Sequence, residues 1–276
     1  MSNTCNRIVL ITGATSGIGA AAAKRLAQRG HTIYGTGRHV QEGPGSDGVR
    51  LVRMDVDDTA SVDRGVASIL GHAGRIDTVI NNAGWGIGGA VEDTSVEEAL
   101  ALFQTNVFGV LRVCRAVLPG MRARGAGAVI TVSSLGGLMG LPFQGLYAAS
   151  KFAVEGLMES LAMEVRGNGI RVTLIEPGDV ATGFTSARRM AAGSGEGSAY
   201  RAPFLRALRQ IESDEGSGVP AGDAARAIVR LVEDPSPPLR TTVGKPDQRL
   251  AGILQGLLPD GVFQRILASH YQLDKR

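Results

Sequence analysis

Residues 7–19 read Arg-Ile-Val-Leu-Ile-Thr-Gly-Ala-Thr-Ser-Gly-Ile-Gly, and this stretch predicts the fold of the whole chain. Its first part is a short apolar strand, and an alanine-rich helix follows as far as about Arg29. The glycines between them, Gly13, Gly17 and Gly19, let backbone N–H groups approach a pyrophosphate, which the positive end of a helix also favours. The stretch therefore indicates the first strand, turn and helix of a nucleotide-binding α/β fold.

Strand and helix patterns continue to alternate after this stretch. Helical spacing of apolar residues predicts helices over about 59–72, 96–124 and 221–232, and another from Tyr147 onward. Glycines and a proline between residues 39 and 48 predict a short crossover without a helix. Because strands alternate with helices, we expect a parallel sheet. The remaining apolar runs predict strands at 31–36, 51–54, 78–80, 128–132, 170–175 and 241–243.

A group of polar residues in the middle of the chain has the chemistry of a catalytic site. Tyr147 and Lys151 are four residues apart on a predicted helix, so both project from the same face. A cation beside a phenol lowers its pKa from about 10, which makes tyrosine a usable general acid or base. Ser134 follows the strand at 128–132, and ligands bind at the carboxyl ends of such strands in doubly wound sheets. The alternative is an ordinary pair on the boundary of an amphipathic helix.

The residue after the second strand indicates which nicotinamide cofactor is preferred. Enzymes that use NAD usually place Asp or Glu there, where the carboxylate bonds the ribose 2′-hydroxyl. This chain has Arg38 instead, and a guanidinium matches the geometry of a 2′-phosphate. Arg38 therefore predicts NADP, and the alternative is an ordinary solvated arginine.

The composition argues against several classes of protein. The 276 residues carry 29 basic and 26 acidic side chains without a run of like charge, so nothing indicates nucleic-acid binding. No apolar run reaches the length of a membrane span, and we expect no membrane partner. Only two cysteines, Cys5 and Cys114, are present, so we expect a cytoplasmic protein without a disulfide framework. Cys114 lies on the apolar face of its predicted helix and is expected to be packed.

Five separated clusters together resemble the short-chain dehydrogenase/reductase family. They are the glycine turn at 12–19, Asn81-Asn82-Ala83-Gly84, Asn106, Ser134 with Tyr147-x-x-x-Lys151, and Pro177-Gly178 with Thr182. The resemblance implies one α/β domain over residues 1–276, a Rossmann-type doubly wound parallel sheet with helices on both faces. It implies seven strands in the order 3-2-1-4-5-6-7. It also implies a homodimer or homotetramer formed through the two long helices that carry Asn106 and Tyr147.

The same resemblance implies a catalytic tetrad of Asn106, Ser134, Tyr147 and Lys151. Ser134 would hydrogen-bond the oxygen of a carbonyl during its reduction while Tyr147 delivers the proton. Lys151 would lower the pKa of Tyr147 and hold the nicotinamide ribose, and Asn106 would hold a water that links Lys151 to solvent. The residues implied to bind NADP are Gly13, Thr15, Ser16, Gly17, Ile18, Gly19, Arg38, Asp55, Val56, Asn82, Ala83, Gly84, Tyr147, Lys151, Pro177, Gly178, Val180 and Thr182.

Apolar side chains near these motifs predict a pocket for a small hydrophobic carbonyl or alcohol. Residues 183–218 are partly glycine-rich and are expected to form a flexible substrate lid; the alternative is a surface insertion. Residues 246–276 form two apolar-faced segments of a helical extension, expected to pack against the body or a partner subunit. The expected substrate-pocket residues are Trp85, Ser134, Leu135, Leu141, Phe143, Tyr147 and Phe184.

These expectations together describe an NADP(H)-dependent oxidoreductase that interconverts a hydrophobic ketone or aldehyde and its alcohol. The long tail is most similar to the hydroxysteroid and retinal reductase-like branch of the family. One alternative is a reductase of carrier-bound 3-oxoacyl chains, and another is a non-catalytic regulator that binds NADPH. The presence of both Tyr147 and Lys151 favours an enzyme over a regulator.

Overall fold

The structure is a computed structural model that describes residues 6–274, apart from the side chain of Ser46. Cys5 lies outside the described residues. The strands are β1 (Ile8–Ile11), β2 (Thr32–Gly37), β3 (Gly43–Pro44), β4 (Val49–Arg53), β5 (Thr78–Asn81), β6 (Ile87–Gly88), β7 (Gly127–Val132), β8 (Ile170–Pro177), β9 (Val180–Ala181), β10 (Arg189–Met190), β11 (Val219–Pro220) and β12 (Arg240–Val243). The helices are α1 (Gly17–Gln28), α2 (Thr59–Ala73), α3 (Val96–Phe103), α4 (Gly109–Arg124), α5 (Gly145–Glu164), α6 (Phe184–Ala187), α7 (Arg201–Gly216), α8 (Ala221–Glu233), α9 (Pro246–Gln255) and α10 (Asp260–His270).

The central sheet has the strand order β12-β8-β7-β5-β1-β2-β4-β3. The seven strands from β12 to β4 are parallel and follow the expected order. The expected count of seven is wrong by one, because β3 pairs antiparallel with β4 inside the crossover at 39–48. Gly43 has a φ of 130°, which lets the chain reverse there. Pro44 is tolerated because this strand lies at the edge of the sheet.

Both faces of the sheet are covered by helices, which explains why its strands are almost continuously apolar. Val9 packs on the face that carries α1 and α8, and its neighbour Leu10 packs on the face that carries α2, α4 and α5. Cys114 is buried in the second of these layers, as expected. Burial raises the pKa of its thiol to about 12, so Cys114 is an unreactive packed residue.

The helix predicted over residues 96–124 is interrupted at its middle. The turn Gln104–Phe108 is π-helical and joins α3 to α4. Such a turn inserts extra backbone and is frequent at functional positions, and this one carries Asn106. Val96–Arg124 is also long and apolar enough to cross a membrane, with a mean hydropathy of 1.3, a test that core helices of soluble proteins pass as well.

Residues 183–218 contain α6, β10 and α7, so the expected lid has regular structure. Its glycine-rich part is attached to Asp93, whose backbone oxygen accepts a bond of 3.2 Å from Gly193 N and whose carboxylate accepts one of 2.6 Å from Ser198 Oγ. Mobility of this segment stays a prediction. The extension forms α9 and α10 and packs on the body of the same chain through Phe263, which contacts Leu135 and Met139.

Candidate active site

A single cavity of about 750 Å³ extends along the carboxyl ends of the parallel strands. One end lies at the glycine turn after β1 and at Arg38 after β2, and the other lies under α7 and α10. Ser134, Tyr147 and Lys151 line the cavity between these two ends. The fold therefore brings the expected cofactor residues and catalytic residues to one continuous site.

The glycine turn forms the wall of the cavity at the N-terminus of α1. Gly13 and Gly17 have φ values of 63° and 56°, which favour glycine. The first turn of α1 contains no acidic residue, so its free N–H groups and positive end suit a pyrophosphate. Thr15, Ser16 and Ile18 line the same wall. This cradle fits the dinucleotide that the sequence predicts.

Gly19 does not line the cavity, and its expected contact with the cofactor stays a prediction. A Cβ at this position would lie 2.5 Å from the backbone oxygen of Gly13 and closer still to Asn82 Nδ2. Asn82 Nδ2 donates to the backbone oxygens of Thr12, at 2.9 Å, and Gly13, at 3.0 Å. Gly19 therefore leaves room for the side chain that joins the glycine turn to the end of β5.

Thr12 is a positioning residue that the sequence motif contains but that was not among the expected site residues. Its hydroxyl accepts hydrogen bonds from the backbone N–H groups of Asn82, at 2.9 Å, and Ala83, at 3.0 Å. These bonds hold the two cavity-lining loops together. The other expected cofactor residues that line the cavity are Arg38, Asp55, Val56, Gly84, Pro177, Gly178, Val180 and Thr182.

Asn106 is buried behind the cavity wall and joins the loop after β5 to helix α5. Its Nδ2 donates to the backbone oxygen of Trp85 at 3.0 Å and to Ser150 Oγ at 3.1 Å, and its Oδ1 accepts from Trp85 N at 3.1 Å. A Cβ added to Gly84 would lie 3.1 Å from Asn106 Oδ1 and 3.9 Å from Lys151 Nζ. Asn106 Oδ1 and Lys151 Nζ thus both lie close to Gly84, and a bridging water at Asn106 stays a prediction.

Tyr147 and Ser134 form the polar centre of the cavity. Ser134 caps the short turn after β7, where its Oγ accepts from Gly136 N at 3.1 Å. Burial raises the pKa of Tyr147 to about 12, although a hydrogen bond with the Ser134 hydroxyl favours the phenolate and opposes that shift. Tyr147 therefore keeps its proton at neutral pH and is able to donate it.

Lys151 lies one helical turn after Tyr147 on α5 and is buried. Its ammonium donates to the backbone oxygen of Val132 at 2.9 Å and lies 5.8 Å from the centre of the Tyr147 ring. Desolvation outweighs the other influences on the phenol, and the expected lowering of the Tyr147 pKa by Lys151 stays a prediction. Desolvation also lowers the pKa of Lys151 to about 8.

The substrate end of the cavity is lined by four of the expected apolar residues, Trp85, Leu135, Leu141 and Phe184. The Phe184 ring lies 5.7 Å from the Tyr147 ring, and the Arg189 guanidinium lies 4.3 Å from the Trp85 ring. Phe143 is not part of this wall, and its assignment to the substrate pocket stays a prediction. It has a φ of 58°, and its ring packs 5.4 Å from that of Phe204 on α7.

Sequence reasoning missed the outer wall of the cavity. Asp179 follows β8, and burial raises its pKa to about 6, with a further contribution from Asp214 and Glu215 on α7. Glu215 is paired with buried Arg188 and accepts a bond of 2.6 Å from Thr185 Oγ1. No motif marks these positions, since amphipathic helices approach the site only in the folded chain. The remaining outer-wall residues are Ile211, Lys245, Asp247, Gln248, Ala251, Ile266, Leu267, His270 and Tyr271.

Comparisons with known proteins agree with this site. The family model described as short chain dehydrogenase matches residues 7–192. The chain is 44% identical to 3-ketodihydrosphingosine reductase of Bacteroides thetaiotaomicron, over 97% of this chain and 98% of that protein. It is 36% identical to mouse 17-beta-hydroxysteroid dehydrogenase type 1, over 84% of this chain and 72% of that protein.

Solved structures show the same fold. A short-chain dehydrogenase from Streptomyces avermitilis superposes with a TM-score of 0.81 and 32% identity, covering 99% of this chain and 98% of that one. A short-chain dehydrogenase/reductase from Burkholderia phymatum in complex with NAD has a TM-score of 0.75 and 29% identity, covering 88% and 90%. A serine dehydrogenase complexed with NADP⁺ has a TM-score of 0.73 and 28% identity, covering 86% and 94%. The chain therefore belongs to the short-chain dehydrogenase family and is an oxidoreductase that acts on CH–OH groups.

Proposed function

We propose that the protein is an NADPH-dependent reductase of long-chain 3-keto amino alcohols, the class to which 3-ketodihydrosphingosine belongs. The observation that carries this proposal is the buried Tyr147–Ser134 pair at the middle of a cavity with an apolar and acidic outer wall. The 44% identity with a reductase of that name supports the choice of substrate class.

The catalytic residues suit reduction of a ketone at neutral pH. A bound nicotinamide cofactor would supply the hydride. Ser134 donates a hydrogen bond to the carbonyl oxygen as negative charge develops there, and Tyr147 transfers its phenolic proton to that oxygen. The raised pKa of Tyr147 keeps this proton in place until the substrate oxygen becomes basic.

The outer wall of the cavity matches both parts of such a substrate. An ammonium group next to the ketone would lie near Asp179 and Glu215, whose charges influence the pKa of Tyr147. Arg188 pairs with Glu215, and Asp179, which accepts a hydrogen bond from Gln248 Nε2, is the carboxylate proposed to face the cation. The alkyl chain would follow Leu141, Ile211 and Leu267 toward Ile266, which is half exposed at the opening.

Preference for NADPH is proposed from Arg38, which lines the cavity at the end of β2 where NAD-preferring enzymes usually carry an acid.

Exposed apolar side chains favour assembly of the protein into a homodimer or homotetramer through its long helices. Leu100 on α3 and Phe152 and Met163 on α5 are 55%, 46% and 69% exposed. Light scattering during size-exclusion chromatography measures the oligomeric state directly. The proposed assembly is contradicted if the parent protein is a monomer and Phe152→Glu does not change its mass.

The test of the proposed substrate class is NADPH oxidation by the purified protein with a matched panel of ketones. The panel contains 3-ketodihydrosphingosine, the same chain without its amino group, a 3-oxoacyl thioester, a steroid ketone and retinal. We expect the highest kcat/KM for the amino ketone, and Asp179→Asn should reduce that value much more than the value for the ketone that lacks the amine.

Each other outcome favours a different function. Preference for the thioester would support a 3-oxoacyl reductase, and preference for the steroid or retinal would support a general reductase of hydrophobic carbonyls. Tight NADPH binding without turnover of any compound would support a regulator. All three results contradict the proposed substrate class.

A further inference from the structure

The side chain of Gln248 fits into a notch that two glycines form at the carboxyl ends of β8 and β12. Gly178 follows β8 and Gly244 follows β12, and these two strands are neighbours in the sheet. A Cβ at Gly244 would lie only 2.8 Å from Gln248 Oε1, and a Cβ at Gly178 would lie closer still. The glycines therefore leave room for the carboxamide of Gln248, which lines the cavity from the first turn of α9.

The Gln248 carboxamide holds Asp179 at two points. Its Oε1 accepts a hydrogen bond of 3.3 Å from the backbone N–H of Asp179, and its Nε2 donates to Asp179 Oδ2. The backbone oxygen of Asp179 accepts another bond, of 3.0 Å, from Val219 N. Both the main chain and the carboxylate of Asp179 are therefore fixed at the cavity wall.

One oxygen of the Asp179 carboxylate remains available to a ligand. Within the part of the chain that the structure describes, Oδ2 is bonded to Gln248 and no group donates to Oδ1, although Asp179 lines the cavity. A carboxylate accepts several hydrogen bonds, and an ammonium group has only donors. The second oxygen of Asp179 therefore suits a cationic group in the cavity.

Charged groups of both signs surround the Asp179 carboxylate. Burial has the largest effect and raises the pKa of Asp179 to about 6. Among the described side chains, Gln248 is the one that donates a hydrogen bond to this carboxylate. A donor to the charged form favours ionisation, so Gln248 opposes the effect of burial. Two acidic groups raise the pKa further and two basic groups lower it, namely Asp214, Glu215, Lys245 and His270.

We propose that Gln248 is a positioning residue that directs the free carboxylate oxygen of Asp179 into the cavity, where it binds the cationic head group of the substrate. The identity of the head group rests on the proposed function, whereas the hold of Gln248 on Asp179 is a property of the protein alone. Gln248 Oε1 also accepts a bond of 3.3 Å from Lys245 N, which caps the start of α9. A capping role alone would not affect the ionisation of Asp179, so the test measures that ionisation.

The first test is an NMR titration of Asp179 in protein labelled with ¹³C at the side-chain carboxyl of aspartate. Asp179→Asn identifies its signal, which we expect to titrate near pH 6 in the parent protein. Gln248→Met keeps an unbranched side chain in the notch and removes the hydrogen bonds of the carboxamide. It should raise the Asp179 midpoint by about one pH unit, because the charged form loses its donor.

Gln255→Met is the matched control, since it makes the same change on α9 outside the cavity wall. It should leave the Asp179 midpoint unchanged. A folded Gln248→Met protein with an unchanged midpoint overturns the proposal, and so does an equal shift in the Gln255 variant. If Gln248→Met does not fold, Gln248→Glu keeps the acceptor for the backbone N–H groups and replaces the donor with a carboxylate. It must then raise the midpoint by at least as much.

Kinetics test the consequence for the substrate. In Gln248→Met, kcat/KM for 3-ketodihydrosphingosine should fall about tenfold or more, and the value for the same chain without its amino group should fall much less. Adding Gln248→Met to Asp179→Asn should cause little further loss, because Gln248 acts through Asp179. Additive losses of the two substitutions overturn the positioning role.

The two measurements separate this proposal from the proposed function. If the parent protein does not prefer the amino ketone but the Asp179 midpoint rises in Gln248→Met, the hold of Gln248 on Asp179 is supported and the proposed substrate class is contradicted. If the preference for the amino ketone requires Asp179 but is fully retained in Gln248→Met, the substrate class is supported and the positioning role is overturned.

Discussion

The ammonium nitrogen of Lys151 lies 5.8 Å from the centre of the Tyr147 ring and donates its hydrogen bond to the backbone oxygen of Val132. Burial acts on both residues in opposite directions, raising the pKa of Tyr147 to about 12 and lowering that of Lys151 to about 8. At neutral pH both groups therefore carry their protons.

Replacement of Tyr147 by Phe should reduce kcat by about 10²–10⁴-fold or more, because it removes the proton donor. The thermal midpoint should change little, since the ring remains. Tyr34→Phe, which removes a phenol hydroxyl from a core position in β2, is the matched control and should keep its activity. Comparable turnover by the Tyr147 and Tyr34 variants would contradict the role of Tyr147.

The rate of carbonyl reduction should fall as pH rises through about 8, where Lys151 loses its proton. The folded-state pKa of Lys151 is lowered, so its ammonium is present below that value and lost above it. Tyr147 stays protonated over this range because its pKa is about 12. The measurement is kcat/KM against pH, and a level profile through pH 8 would refute the need for a charged Lys151.

Substitution of Arg38 by Glu should weaken NADPH binding much more than NADH binding, because a carboxylate repels the 2′-phosphate and accepts from a 2′-hydroxyl. Arg53→Glu makes the same charge change at an exposed residue outside the cavity wall and serves as the control. Titration of both nucleotides by fluorescence gives the two Kd values. Equal losses for NADPH and NADH would remove the basis for NADP preference.

Gly19→Ala should lower the free energy of unfolding by about 1–3 kcal/mol, because its Cβ would overlap Asn82 and the Gly13 carbonyl. Gly71→Ala, at an exposed position of α2 with open space around the added atom, should raise it by about 1 kcal/mol. Urea denaturation measures both changes. If the two variants are equally stable, Gly19 has no packing role.

Trypsin should cleave residues 183–218 more slowly when cofactor and a substrate analogue are present, if this segment closes over the cavity as a lid. Phe184 and Arg189 line the cavity from this segment, so a ligand there would contact it directly. Mass spectrometry locates the cleavage sites, and sites elsewhere in the chain provide the reference. Unchanged cleavage of the segment would contradict the lid.

Local patterns in the sequence predicted the main parallel strands within a few residues, and most of the expected cofactor residues line the cavity. The apolar runs from Ile8 to Ile11 and from Gly127 to Val132 form strands because only a buried sheet accommodates them. Gly13 and Ser134 lie at the cavity because strand ends in a parallel sheet share one edge, and Tyr147 reaches the same cavity from α5. These features depend on neighbours close in the chain, and the sequence contains them directly.

Contacts between distant residues were not predictable in the same way. The packing role of Gly19 depends on Asn82, and Asn106 in the π turn bonds to Trp85 and Ser150, which are all far along the chain. Phe143 was placed in the pocket from its position in the sequence alone, but its backbone conformation directs it to Phe204.

The amino-acid sequence by itself determined the family fold, the strand order and the identity of the polar residues at the site. The tertiary structure alone decided the outer wall from α7 and α10 and the ion pair between Arg240 and Glu155. It also decided how far the pKa values of Tyr147 and Lys151 are shifted from their ordinary values. The physical reason is desolvation. The free energy of a charged group depends on how many atoms exclude water from it, and most of those atoms belong to residues remote in the chain.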